Sequence, residues 1–291
     1  MVKRNKGGED VKELAKHQFE LCEPLLRKQG SVEVRAVIEG INEGRVFVDQ
    51  LDSPSSAVVW LGNLDGFYVI GDEKNEMFNR KLKDFMDLVA GPDALAQGIG
   101  IAEILSYHPG WNDVLDEIFS ERKSETWEQA VYIYNKKKKP KKALLPPGYE
   151  VKYMQEAIHV ADYTSRRLIH NKIKEFWSSK ESFFEKGIGF CVMKGQQVAS
   201  VCMTGYRAGN IHAIEIETFM TFEQKGLATA AATAFVEECI AEKMMPYWDC
   251  QVENLPSVKT AERTGFIPVF TYRGIEFEFN PQRSFKVNVN R

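Results

Sequence analysis

Apolar and polar positions along the chain fall into two successive stretches of similar texture, each mixing short strand patterns with amphipathic helices. In the first, helix-like spacing over Val11 to Leu26 (Leu14, Phe19, Leu21, Leu25) precedes "GRVFVDQ", "SAVVWLG" and "GFYVIGD", whose β-branched and aromatic residues between turn formers predict strands. An amphipathic helix is predicted from Asn75 to Val89, with Phe78, Leu82, Phe85, Met86 and Val89 on one side, and then "GIGIAEILSY", "NDVLDEIF" and "WEQAVYIYN" read as strand, helix, strand. The second stretch opens with the strand "YEVKYM" and a mostly helical run from Ala157 to Phe184, anchored by Tyr163, Phe176 and Trp177. The strands "GFCVMKG", "QQVASVCMTGYRAG" and "IHAIEIETF" follow, the first two joined by a tight turn at Gly195. A long helix comes next, with Leu227, Ala231, Phe235, Val236 and Cys239 on a broad apolar face, then the strand "PYWDCQV", the helix "LPSVKTAERTG", and a final hairpin of "FIPVFTYRG" and "IEFEFN".

Between the stretches, "NKKKKPKKALLPPGYE" (Asn135 to Glu150) carries a lysine run and a Pro-Pro-Gly turn with little periodic apolar signal, and reads as a solvated linker. The expected organisation is therefore an N-terminal α/β domain over 1–134, a Lys/Pro-rich linker over 135–147 and a second α/β domain over 148–291. The two halves share a rough order of elements, which suggests duplication.

Composition narrows the class of partner. Apolar residues make up 44% and charged residues 27% of the 291 positions, with a net charge of −3, so nothing global draws the protein to nucleic acid or to an anionic membrane. The five cysteines are odd in number, scattered and without a C-x-x-C pair, which fits reduced thiols in a cytoplasm better than a disulfide framework or a zinc site. The basic start is followed by no apolar segment, and no 18-residue apolar run occurs, so neither a signal peptide nor a membrane span is expected. His159, His170 and His212 have no metal-ligand spacing, and no metal is expected.

The chemistry concentrates in "FEQKGLATAAATAFVEECI". A helix starting at Gly226 leaves the amides from about Lys225 to Thr229 without intrahelical acceptors, at the positive end of the helix dipole. A glycine there has two readings: relief of a strand-to-helix turn, or close approach of an anion to the main chain, with small Ala228 and Thr229 keeping the rim open. Neither G-x-G-x-x-G nor G-x-x-x-x-G-K-[ST] is present, so dinucleotide and nucleoside triphosphate loops are not indicated. Further on, Asn254, Ser257, Ala261, Gly265 and Phe266 fall in the pattern N-x-x-S-x-x-x-[YA]-x-x-x-G-F. Together with "EIETFMTFEQKGLAT", this resembles the GNAT superfamily of N-acetyltransferases over roughly Leu145 to Phe279, and most closely a bacterial branch with no settled acceptor.

The resemblance implies a mixed-sheet α/β (α+β) fold and acetyl-CoA as cosubstrate. Its phosphate loop, [RQ]-x-x-G-x-[GA], becomes Glu223, Gln224, Lys225, Gly226, Leu227, Ala228; Glu223 replaces the usual arginine or glutamine, so Gln224 or Lys225 would have to supply the polar contact. Backbone groups of Thr218, Phe219 and Met220 would hold the pantetheine arm and polarise the acetyl carbonyl. Asn254 would bind the arm or orient the following helix; a plain helix-start role is the alternative. Ala261 occupies the position of the family's acid, a tyrosine, leaving Tyr247, Tyr206 or solvent to protonate the thiolate.

Glu215 and Glu217 alternate with Ile214 and Ile216, so both carboxylates share one face of their strand. Either could take the proton from an incoming ammonium, Glu217 being nearer the expected thioester; a salt-bridged strand edge is the plain alternative. Cys250 as an acetyl carrier is weighed against a buried structural thiol, and Asp249 against a satisfied carboxylate. The acceptor is a small-molecule amine or a protein amine, and a homodimer is compatible with this reading. The second reading is a CoA-binding sensor without turnover, favoured by Glu223 and Ala261; the third is transfer of a longer acyl group or to a hydroxyl. The N-terminal half places "GDEKNE" where phosphate-binding amides would stand, and is expected to be a degenerate copy of the same fold that shapes the acceptor pocket, or a mere scaffold.

Overall fold

The computed structural model describes residues 11–26, 30–137 and 144–279. The chain start and residues 138–143, the middle of the expected linker, lie outside the described residues. Two compact units form: the first from the described residues of Met1–Gly40, Gly44–Trp127 and Tyr272–Arg291, the second from Ile41–Glu43 and Glu128–Thr271.

The first unit runs β1 (Lys12–Glu13), a 3-10 helix (Lys16–Leu25), α1 (Val32–Ile38), β2 (Arg45–Val48), β3 (Ser56–Trp60), β4 (Phe67–Gly71), α2 (Glu76–Phe85), a π-helical turn (Met86–Ala90), α3 (Gly91–Ala96), β5 (Ile101–Leu105), α4 (Gly110–Phe119) and the start of β6 (Ser124–Tyr134). The helix expected over Val11–Leu26 is thus a short strand and a 3-10 helix. Its buried residues, Phe19 and Cys22, lie three apart, which is the 3-10 period, and Pro24 brings no amide to an α-helical ladder. The helix expected to end at Val89 continues to Ala96, and the π turn rotates the positions after it, so Met86 and Ala90 are buried while Val89 is 40% exposed. Phe47, Trp60, Phe67, Phe78, Trp111, Phe119 and Phe277 fill the core.

The second unit takes the rest of β6, then β7 (Tyr149–Tyr153), α5 (Met154–Val160), α6 (Tyr163–Phe176), α7 (Lys180–Lys186), β8 (Gly189–Lys194), β9 (Gln197–Ala208), β10 (Ile211–Thr218), a 3-10 turn (Met220–Phe222), α8 (Leu227–Ala241), β11 (Met245–Gln251), α9 (Leu255–Arg263) and the beginning of β12 (Phe266–Glu278). No hairpin interrupts β12. Gly274, which reads as a turn in the sequence, is a straight strand residue on which the Trp127 indole lies: a Cβ there would come within 2.3 Å of Trp127 Cζ2.

Both units repeat one topology. The first has the order β1-β2-β3-β4-β5-β12 and the second β7-β8-β9-β10-β11-β6. In each, three antiparallel pairings are followed by one parallel pair, β4/β5 or β10/β11, and a closing antiparallel strand. The closing strands are exchanged along the sequence. Residues 129–133 of β6 pair with β11, and residues 274–278 of β12 pair with β5, so the compact units differ in their last strands from a division at the lysine-rich segment.

In the second unit the sheet is covered on both faces. One face carries α8 and α9 over a core of Tyr132, Phe190, Phe235, Trp248 and Phe266; the other carries α5, α6 and α7 over Met154, Ile169, Ile173, Trp177, Phe183 and Met203. Among the described residues no helix is long and apolar enough to cross a membrane.

Candidate active site

Strands β10 and β11 part company within the sheet. They pair only at Ile211–Ala213 with Met245–Tyr247, although β10 continues to Thr218 and β11 to Gln251. The separation begins where the register with β9 skips a residue: Ala213 pairs with Tyr206 but Ile214 with Thr204, leaving Gly205 as a bulge. Bulges bend and twist a strand locally, and here β10 swings away from β11 beyond it. Because the two strands are parallel, the turns that follow them, Phe219–Gly226 and Val252–Asn254, lie at the same end of the sheet with the gap between.

The Phe219 amide donates to the Ala199 carbonyl at 3.0 Å and the Glu217 carbonyl accepts from Ser200 Oγ at 2.9 Å, so both face β9. By period-two alternation the N–H and C=O of Ile216 and Thr218 point into the gap. Phe219 is otherwise engaged, its carbonyl accepting from Phe222 at 2.7 Å, and the Met220 carbonyl caps the 3-10 turn. Of the backbone groups expected at Thr218, Phe219 and Met220, those of Thr218 therefore face the gap, and Ile216 joins them.

At the mouth, Gly226 is the residue before α8 and has φ +74° and ψ 13°, in the left-handed region. No side chain caps the helix. The amides of Gln224, Lys225, Gly226, Leu227, Ala228 and Thr229 meet no acceptor among the described residues, the first backbone bond of the helix being Ala230 to Gly226 at 3.2 Å. A Cβ added at Gly226 would find no protein atom within 4 Å. The glycine thus satisfies a left-handed backbone and also leaves open space over a row of unpaired donors. Lys225 folds its ammonium back on the loop, toward the carbonyls of Thr221 at 3.2 Å and Glu223 at 3.4 Å, while the Glu223 side chain is exposed.

Glu215 and Glu217 do share a face, opposite Ile214 and Ile216, which pack with the α8 side of the core. A lysine that the sequence reading passed over stands between them. Lys172 Nζ, on α6, lies 3.1 Å from Glu215 Oε1, 2.9 Å from Glu217 Oε2 and 2.7 Å from Glu175 Oε2, and its side chain is 13% exposed. Burial would lower its pKa, but the Glu215 charge and the bonds to Glu175 and Glu217 outweigh this and the net shift is upward, so Lys172 stays an ammonium. A signal was present: Lys172 lies three after Ile169 and four before Phe176, on the core-facing side of α6. Three carboxylates around one ammonium leave the cluster with excess negative charge.

Asn254 caps α9, its side chain accepting from the Ser257 amide at 3.2 Å. Ala261 is fully buried in the core beneath α9 and has no group to lend to proton transfer. Ser257 Oγ accepts from Trp248 Nε1 at 3.1 Å. Burial raises the Cys250 pKa against the lowering effect of the Ser257 hydrogen bond, keeping it a thiol. Asp249 accepts from Gln129 Nε2 at 2.8 Å. His212 is buried, with Nδ1 2.9 Å from Thr204 Oγ1. Among the described residues no group of His, Cys, Asp and Glu could hold a metal.

The first unit has the corresponding parallel pair, β4 and β5, joined only at Phe67–Tyr68 with Ile104–Leu105. Its helix start differs. Asn75 caps α2 by accepting from the Phe78 amide at 3.1 Å, and donates to Asp49 Oδ2 at 3.0 Å. Burial tends to raise the Asp49 pKa, but bonds from Ser55, Ser56 and Asn75 win and hold it low. A protein carboxylate thus stands behind that helix N-terminus.

The sequence profile of the GNAT acetyltransferase family matches residues 23–275, spanning both units, and the chain belongs to this family. It is an acyltransferase by that membership, and the match extends through the N-terminal half. A relative from Bacillus subtilis (strain 168), named as the uncharacterized N-acetyltransferase YdfB, is 28% identical over 243 residues, covering 82% of this chain and 87% of its own length. Among solved structures, a GCN5-related N-acetyltransferase-like protein from Streptococcus suis superposes with a TM-score of 0.64 at 18% identity, over 90% of this chain and 98% of its own. A GCN5-related N-acetyltransferase from Sphaerobacter thermophilus gives 0.60 at 10% identity, over 94% and 96%. A tandem GNAT protein from the clavulanic acid biosynthesis pathway gives 0.58 at 10%, over 94% and 99%. At these identities the structures speak to the fold, which they share across nearly the whole chain.

Proposed function

We propose that the protein transfers an acetyl group from acetyl-CoA to a primary amine by direct attack within one ternary complex. The observation that carries this is the row of unpaired amides from Gln224 to Thr229, around a glycine with open space above it, at the mouth of the gap between β10 and β11. Such a helix start suits a diphosphate, and the gap suits an extended arm bearing amides. When bound, the cosubstrate supplies an activated thioester carbonyl.

The chain's own groups do the rest. The main chain of Ile216 and Thr218 pairs with the arm as a missing strand would. The negative cluster of Glu175, Glu215 and Glu217 draws the acceptor in as its ammonium. Glu217 accepts the proton that the amine must lose before its nitrogen can attack, with Glu215 and Lys172 holding it in place. Ala261 leaves the departing thiolate to be protonated from solvent, which a thiol of ordinary acidity, pKa about 8.5, permits.

The test is thiol release from acetyl-CoA by the purified full chain over a panel of primary amines, with propionyl-CoA and hydroxyl acceptors in parallel. Amine-dependent release with N-acetylated product supports the reading; tight binding with no release over the panel, or release only with hydroxyl acceptors, overturns it.

A further inference from the structure

Asn42 comes from the N-terminal half of the sequence, yet it sits among the residues of the second unit. It is 5% exposed and its side-chain amide is fully engaged. Nδ2 donates to the Gly205 carbonyl at 2.8 Å and to the Phe176 carbonyl at 3.0 Å, and Oδ1 accepts from the Arg207 amide at 3.0 Å. Its neighbour Ile41 packs against the cluster under α5, α6 and α7.

These partners belong to one feature. Gly205 is the bulged residue that the β9–β10 register leaves out, Arg207 lies just past it, and Phe176 ends α6, the helix that carries Lys172. Opposite the bulge, β10 steps from Ala213 to Ile214, where its pairing with β11 stops. A bulge leaves main-chain groups without strand partners, and buried ones must be satisfied from elsewhere. Asn42 supplies two donors and an acceptor in one planar group, and Trp177 Nε1 takes the neighbouring Thr204 carbonyl at 2.8 Å. Space is tight as well: a Cβ on Gly205 would come within 3.3 Å of Glu215 Cβ and 3.4 Å of the Phe176 ring.

We infer that Asn42 is a positioning residue for acetyl transfer: by pinning the Gly205 bulge and the end of α6 together, it fixes where β10 leaves β11 and how Glu215, Glu217 and Lys172 are presented. The purpose given to the gap rests on the proposed function; the pinning itself does not. The N-terminal half thereby reaches the chemistry through one amide in the second unit. A residue that merely stabilised the fold would lower the melting temperature and leave the gap and its kinetics alone.

The experiment compares Asn42→Ala, Asn42→Asp and Ile41→Ala in the full chain. Aspartate keeps the acceptor for Arg207 and loses both donors, while Ile41→Ala weakens the adjacent packing and spares the bulge; Asn42→Ser, smaller and still polar, replaces the alanine variant if that does not fold. Hydrogen exchange of peptides covering 204–207 and 214–218 is measured together with kcat and KM for acetyl-CoA. Asn42 variants are expected to exchange at least tenfold faster there, with α8 unchanged, and to lose at least tenfold in kcat/KM, whereas Ile41→Ala loses thermal stability without either change. Unaltered exchange at 214–218 in the Asn42 variants, or the same local and kinetic losses in Ile41→Ala, overturns the inference. If the wild-type chain releases no thiol, the proposed function fails, and the exchange data still decide the pinning.

Discussion

Replacing Gly226 by alanine separates the two uses of that glycine. With φ at +74° the backbone is left-handed, where a side chain costs about 1–2 kcal/mol, and since an added Cβ meets no protein atom within 4 Å, no clash adds to it. Gly226→Ala should therefore fold and lose about 1–2 kcal/mol, a fall of a few degrees in Tm. Asparagine tolerates left-handed backbone better, so Gly226→Asn should lose less stability. Ligand affinity should rank the other way. The added atoms take up part of the open space at Gly226, so coenzyme A should bind at least tenfold more weakly to the alanine variant, about 1.4 kcal/mol, and more weakly still to the bulkier asparagine variant. Stability thus follows Gly, Asn, Ala and affinity follows Gly, Ala, Asn. Thermal melts and calorimetric titration with coenzyme A give both orders. An affinity that simply tracks stability, with alanine worst in both, would show that the glycine serves only the turn.

Glu217→Gln should lower kcat by roughly 10²–10⁴ while KM for acetyl-CoA changes little, since the lost group meets the amine rather than the cosubstrate; steady-state thiol release checks this, and full turnover would remove Glu217 from the mechanism. Cys250→Ala should keep most of its turnover and show no acetylated enzyme by mass spectrometry, because a buried thiol of raised pKa makes a poor carrier. Burial, aided by the charge of Arg207, brings His212 down from 6.5 to about 4. An unfolded histidine binds its proton below 6.5 and the folded one only below about 4, so this contribution to stability is complete above 6.5 and is lost as pH falls toward 4. Between pH 7 and 5, urea unfolding of the wild type should lose about 2 kcal/mol more than that of His212→Gln; equal losses would refute the assignment.

The local geometry along one strand and its following turn was legible. Alternation placed Ile214 and Ile216 inward and Glu215 and Glu217 together, and the glycine before an alanine-rich helix marked the open amides, because both signals are local in sequence. Lys172 carried a readable signal as a lysine at core spacing on α6, but its carboxylate partners on β10 lie 43 residues away for Glu215. Asn42 carried none: "GINEGR" looks like an ordinary loop, and its partners are 134, 163 and 165 residues distant. Gly274 shows the opposite difficulty. A glycine that admits an indole ring and one that makes a turn are written identically, so the continuous β12 read as a hairpin. The exchange of β6 and β12 between units was hidden for a related reason, since strand patterns give burial and alternation but not which neighbour a strand chooses.

The most direct measurement is a crystal structure of the full chain grown with coenzyme A. Diphosphate oxygens within hydrogen-bond reach of the Lys225–Thr229 amides, and the pantetheine arm running between β10 and β11 past Thr218, are the expected result. Coenzyme A bound elsewhere, with the amides around Gly226 facing only solvent, would contradict the assignment of this gap as the acetyl-transfer site.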